Sequence, residues 1–156
     1  LSRWLDFAPM NFGFSGSAMG EEYVAAFLAE LDMAAFVMDY DYNAPDAAFL
    51  ENTHEPFFRV IRQANPDLPV LFVSMPNRPG SDPECRARKE IILKTYRNAL
   101  ARGDRRVWFV DGSKLWGRGE REREFCTGDG LHPNDMGFYG MAKGIYPTLK
   151  EMLNVL

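Results

Sequence analysis

Three short apolar runs, Ala34–Met38, Val70–Met75 and Val107–Val110, recur between longer stretches of helical periodicity, and this alternation constrains the fold more than any other feature. Runs of this length match strands buried on both faces, and strands joined through a helix run parallel because the connection must cross over the sheet. The stretch Glu21–Leu31 sets Tyr23, Val24, Phe27, Leu28 and Leu31 at helical spacing, and Thr53–Ala64 does the same with Phe57, Phe58, Val60 and Ile61. Asp82 offers a cap and Pro83 a first helical residue for a helix whose apolar side is Ile91, Ile92, Leu93, Tyr96 and Leu100, and Gly103 ends it. A last helix is expected from a cap at Asn134, with Pro147 kinking or dividing it. Leu1–Leu5 reads as the final turn of an amphipathic helix, Met10–Phe12 as one more short strand, and Asp39–Pro45 and the stretch from Val110 to Gly128 as loops. The expectation is one domain over residues 1–156: a mostly parallel sheet covered by helices on both sides.

A hydrophobic content of 46% supplies enough apolar material for one core. The net charge of −4 gives no general attraction to nucleic-acid phosphate or to an anionic membrane, so neutral or weakly polar ligands are favoured. No apolar run reaches the roughly 20 residues a membrane-spanning helix needs. Cys85 and Cys126 are far apart and lack metal-site spacing, which argues against a zinc knuckle or a disulfide framework.

The sharpest chemical signal is Asp129-Gly130-Leu131-His132-Pro133-Asn134, just before the last helix. A separation of three residues lets the Asp129 carboxylate hold one ring nitrogen of His132, leaving the other to take a proton from a nucleophile. Taken alone, the same pattern also fits a capped turn beside a surface histidine. Asn11-Phe12-Gly13-Phe14-Ser15-Gly16 places a glycine-rich turn at a strand end, where backbone N–H groups can meet an oxyanion or simply close a tight turn. Asn43 could add a side-chain amide donor or serve as a turn residue. Ser15 and Ser17 are poor nucleophiles by pattern, because a nucleophile elbow needs glycine where Ser17 stands. Arg78, at the carboxyl end of a strand, is either a substrate contact or a surface arginine. His54 reads as a solvated residue near a helix start, Trp108 and Trp116 as sugar-facing or core residues, and Arg118–Glu124 as a solvated face.

In this order, the three segments resemble the SGNH hydrolase family, the GDSL-like lipases and acylhydrolases. Gly16 matches the family's oxyanion-hole glycine, Asn43 its oxyanion asparagine, and Asp129 and His132 its acid–base pair, down to the following Pro133-Asn134. The asparagine block lacks its usual flanking glycine and aspartate, and the block that carries the nucleophilic serine has no counterpart in the 156 residues. The resemblance implies a flavodoxin-like three-layer α/β/α fold with its first strand absent from this sequence, and an upstream serine as nucleophile. In that fold strands are ordered 2-1-3-4-5, so Met10–Phe12 and Ala34–Met38 should lie two strand spacings apart, roughly 9 to 10 Å, and should not pair directly. It also implies a serine ester hydrolase that needs neither metal nor organic cofactor and acts on a small-molecule or carbohydrate ester, with a bacterial carbohydrate deacetylase as the favoured case. Two alternatives stand beside it: a non-catalytic relative that binds glycans or a protein, and a phosphate-binding flavodoxin-like domain, which leaves Asp129 and His132 unexplained.

Overall fold

The computed structural model describes residues 1–76, 83–117 and 119–154. Three strands, β1 (Phe36–Met38), β2 (Val70–Val73) and β3 (Val107–Val110), form one parallel sheet in the order β1-β2-β3. Phe36 pairs with Val70, and Val70 in turn with Val107. The crossovers run through α3 (Ala47–Ala64) and α4 (Pro83–Ala101), which supply the length that a parallel connection requires. The remaining helices are α1 (Ser2–Leu5), α2 (Glu22–Ala29), α5 (Glu120–Glu124) and α6 (Asp135–Asn154). Sheet and helices form the parallel, helix-covered arrangement that the pattern of apolar runs implies and the flavodoxin-like α/β fold that the resemblance implies.

Alternation along each strand assigns its side chains to two cores. Val70 and Phe72 enter the core built with α2, α3 and α4, whereas Leu71 and Val73 enter the one built with α6, Leu115 and Trp116. All four residues of β2 are buried, because strands flank it on both edges and helices cover both faces. Each such side chain contributes about 1.5 to 3 kcal/mol of transfer free energy. On β1 the division is incomplete: Phe36 and Met38 join the first core, but Val37 is 39% exposed. At the N-terminal ends of the strands Arg62 acts as a clamp. Its guanidinium pairs with Asp104 at 2.8 Å and donates to the carbonyls of Asn65, Pro66, Leu68 and Arg106.

Several local expectations are corrected. Met10–Phe12 is not a strand; among the described residues nothing pairs with it, and a lone extended segment leaves its ladder groups unsatisfied. It does not pair with β1 either, and an open groove separates the two segments. Helix α3 begins at Ala47 rather than Thr53, because Asp46 caps it by accepting from the Phe49 N–H at 2.7 Å, and it runs on through Pro56. Pro147 does not divide α6. The stretch after β3 is not all loop: it holds the 3-10 turn Gly112–Lys114 and α5. The cap expected at Asp82 lies outside the described residues. Among the described residues, no helix is long and apolar enough to cross a membrane.

Candidate active site

The Asp129–His132 segment is organised almost entirely by bonds within itself. An isolated antiparallel bridge joins Thr127 to Pro133 and closes the loop at its base. Gly130, at φ +79°, turns the chain, and its N–H donates to the Thr127 hydroxyl at 3.1 Å. One oxygen of Asp129 accepts from the N–H groups of Leu131 and His132, at 2.9 and 2.7 Å. The other lies 2.5 Å from His132 Nδ1. The ring contact with His132, followed by those two backbone donors, holds the Asp129 carboxyl well below the usual carboxylate range. An ionised Asp129 only accepts hydrogen bonds, so Nδ1 carries the proton and Nε2 of the neutral ring is the basic nitrogen. Asn134 then caps α6, accepting from Met136 and Gly137 while donating to the Phe125 carbonyl. Gly137 has no space for a side chain: a Cβ there would stand 2.2 Å from the Cys126 carbonyl, so the base of the loop lies directly on the helix. The two side chains themselves remain in solvent, His132 77% and Asp129 54% exposed.

The Asn43 turn is built in the opposite way. The chain leaves β1 through Asp39, Tyr40 and Asp41, and the turn closes when the Asn43 N–H donates to the Tyr40 carbonyl at 3.0 Å. Asp41 is buried, and its carboxylate accepts from the Met75 N–H at 2.9 Å, just past the end of β2. The Arg88 guanidinium of α4 donates to the Asp41 carbonyl, and the Tyr42 hydroxyl donates to the Pro76 carbonyl at 3.3 Å. Burial, with Asp39 close by, raises the Asp41 carboxyl to about 7 against the opposing pull of the Met75 N–H and Arg88. Asp39 itself is open to water on one side but crowded by protein on the others, and that loss of hydration raises it to about 6. Burial also holds the Tyr40 phenol protonated far above its usual range; its oxygen lies 3.0 Å from Thr53 Oγ1.

In the glycine-rich segment, Asn11 Oδ1 accepts from the Gly13 N–H at 2.8 Å, and Phe14, Ser15 and Gly16 all take positive φ, at 48°, 46° and 88°. Such conformations cost on the order of 1 to 3 kcal/mol for a residue with a side chain. Space around Gly16 is open, so its backbone angle, and not crowding, is what favours glycine there. Ser15 and Ser17 are exposed, and no hydrogen bond links either one to His132.

A groove of about 490 Å³ runs beside β1. Residues 7–13 form one wall and residues 33–40 with Asn43 the other, with α2 and the end of α6 contributing Val24, Leu28, Leu149 and Leu153. Of the residues singled out in the sequence, Asn43 lines this groove, whereas Gly16, Asp129 and His132 do not. Arg78 lies outside the described residues. His54 is not solvated: it is 1% exposed, its Nδ1 is 2.8 Å from Thr95 Oγ1, and its ring packs between Tyr40 and Phe72. Burial lowers its pKa to about 3, which keeps the imidazole neutral. Trp116 is a core residue, and Trp108 donates to Glu151 at 3.0 Å. No local pattern singles out Asp41 and Arg88, because an acidic residue in a loop and an arginine on a polar helix both read as surface.

Residues 1–150 match the model of the GDSL-like Lipase/Acylhydrolase family. No curated protein matches the chain. Among solved structures, one described as a GDSL-like lipase from Bacteroides ovatus superposes with a TM-score of 0.78 at 24% identity, over 89% of this chain and 42% of that one. The salicylyl-acyltransferase SsfX3 of a tetracycline biosynthetic pathway gives 0.70 at 20% identity, over 89% and 43%. A carbohydrate esterase of family 3 from Talaromyces cellulolyticus gives 0.70 at 18% identity, over 90% and 69%. The chain therefore spans less than half the length of the first two.

Proposed function

The chain belongs to the GDSL-like lipase/acylhydrolase family, and from that premise we propose that it carries the acid–base half of a serine esterase acting on short acyl esters. The observation that carries this reading is the 2.5 Å contact between Asp129 and His132 Nδ1. His132 Nε2 takes the proton of a serine hydroxyl as that oxygen attacks the acyl carbonyl, then returns it to the departing alcohol; Asp129 steadies the imidazolium formed in between. Asn43, with the backbone at Gly16, donates to the oxyanion, each donor being worth on the order of 3 kcal/mol when aligned. The serine comes from a segment outside residues 1–156 that lies along the open edge of β1, with an acetylated carbohydrate as the preferred ester. Likeness to a carbohydrate esterase supports that substrate class.

A second reading, a non-catalytic domain that binds glycans or a protein, draws support from one observation: the groove is lined by Asn43 but not by His132. Hydrolysis of p-nitrophenyl acetate by the full-length protein separates the two. Turnover is expected, and His132→Ala should lower kcat by a factor on the order of 10⁴ or more while leaving the thermal midpoint unchanged, since the side chain is exposed. Asn43→Ala should lower kcat about 100-fold. An intact, folded protein that turns nothing over belongs to the second reading.

A further inference from the structure

We propose that Asp41 and Arg88 are positioning residues that hold the Asn43 turn against the end of β2 and so set where the Asn43 amide stands in the groove. The inference rests on the reading of Asn43 as an oxyanion donor and extends it to residues that touch no substrate. Asn43 itself makes no side-chain hydrogen bond within the described residues, so its amide is placed by its backbone alone. That backbone is fixed two residues earlier, where the Asp41 side chain takes the Met75 N–H and the Asp41 carbonyl takes Arg88. The Tyr40–Asn43 hydrogen bond passes any movement of Asp41 directly to Asn43.

The anchor point is itself closely packed. Gly112 donates to Ser74 Oγ at 2.9 Å, and a Cβ on Gly112 would stand 1.7 Å from the Ser74 carbonyl oxygen, so strand β2 and the 3-10 turn after β3 are in backbone contact at this point. A buried carboxylate is an expensive way to fill a core position, and an apolar residue of similar size would stabilise the fold better. What a carboxylate supplies there is a fixed register between two loops. Arg88 is held from its other side by Glu84, at 3.0 Å, which orients the guanidinium toward the Asp41 carbonyl.

The same geometry makes the latch sensitive to protons near neutrality. Asp41 meets Asp39 from its own strand end, Arg88 and behind it Glu84 from α4, and the amides of Met75 and Tyr42. Next to it Tyr40, on which Glu21 also acts, bonds Thr53 of α3 and stacks on the neutral His54. With the carboxyl raised to about 7, it titrates within the working range of most enzymes.

Amide NMR on the 156-residue chain tests this without any substrate. Between pH 5 and 9 the Met75 and Asn43 backbone amides and the Asn43 side-chain amide should shift together with a midpoint near 7, separate from any response to Asp39 near 6. Asp41→Asn retains an acceptor for Met75 and removes the titration, so its Asn43 signals should sit near the low-pH wild-type positions at every pH. In Asp41→Ala and in Arg88→Met, hydrogen exchange at the Asn43 backbone amide should rise about tenfold, as expected when one buried hydrogen bond is lost. Asn43 signals that ignore pH in the wild type, or that keep a midpoint near 7 in Asp41→Asn, overturn the proposal, as does unchanged exchange in both Asp41→Ala and Arg88→Met. If the latter two variants unfold, the comparison of wild type with Asp41→Asn decides alone. Failure of the esterase reading would show instead as absent turnover with these NMR responses intact.

Discussion

The Asn43 turn and the His132 loop hold the proposed donor and the proposed base by contrasting means. The first is buried and tied to neighbouring elements through Asp41, Arg88 and Tyr42; the second is exposed and tied chiefly to itself through Asp129, Thr127 and Gly130. A donor that must meet a developing charge at a fixed point gains from a rigid setting. A base that must exchange protons with water between turnovers gains from solvent, and it needs only one short contact to fix its tautomer. The difference is thus one of burial, and it predicts different responses to pH, to crowding and to the loss of a cap.

The largest expected effect is the pH dependence of stability. His54 is depressed to about 3, so its contribution is complete above its unfolded pKa near 6.5 and is lost as pH falls toward 3, at most on the order of 4 kcal/mol. Asp41 has the opposite sign: raised to about 7, it favours the fold below about pH 4, and that advantage is lost as pH rises through 7. Thermal midpoints measured against pH should therefore lose their acid limb in His54→Phe and their fall between pH 4 and 7 in Asp41→Asn. Over pH 5 to 9 Asp129→Asn should leave the curve unchanged; a comparable change would erase the contrast between the loops.

Crowding gives the next largest effect. Gly112→Ala drives a methyl group into the Ser74 carbonyl and should cost about 3 kcal/mol or more, lowering the midpoint by roughly 10 °C. Gly130→Ala meets only open space and pays for its positive φ alone, about 1 kcal/mol. Circular dichroism melting of the two variants side by side sharpens the comparison, and equal losses would break it.

The smallest effects are those of the helix caps. Asp46→Ala and Asn134→Ala should each cost about 1 kcal/mol in denaturant unfolding. Only Asn134→Ala should also speed exchange of the His132 Nδ1 proton, because Asn134, unlike Asp46, joins its helix to the segment before the His132 loop.

What was legible in the sequence follows the same division. Continuously apolar strands declare themselves by composition, so Val70–Val73 and Val107–Val110 are read directly. The Asp129–His132 contact was legible because it is local, three residues apart. The buried network around Asp41 was not, since its partners Met75 and Arg88 stand 34 and 47 residues away and no local pattern brings them together. His54 was misread for the same reason: its partner Thr95 comes from another helix, 41 residues on. The early helix start at Ala47 was hidden by Pro56, which suggests a first turn but sits inside α3.

The unpaired edge of β1 has a consequence for handling the protein. A strand edge that borders an apolar trench attracts any extended peptide that can complete its ladder, including the same strand of a second molecule. Solubility of the 156-residue chain should then depend on this seam more than on its modest net charge, and short peptides with alternating aliphatic side chains should slow its association.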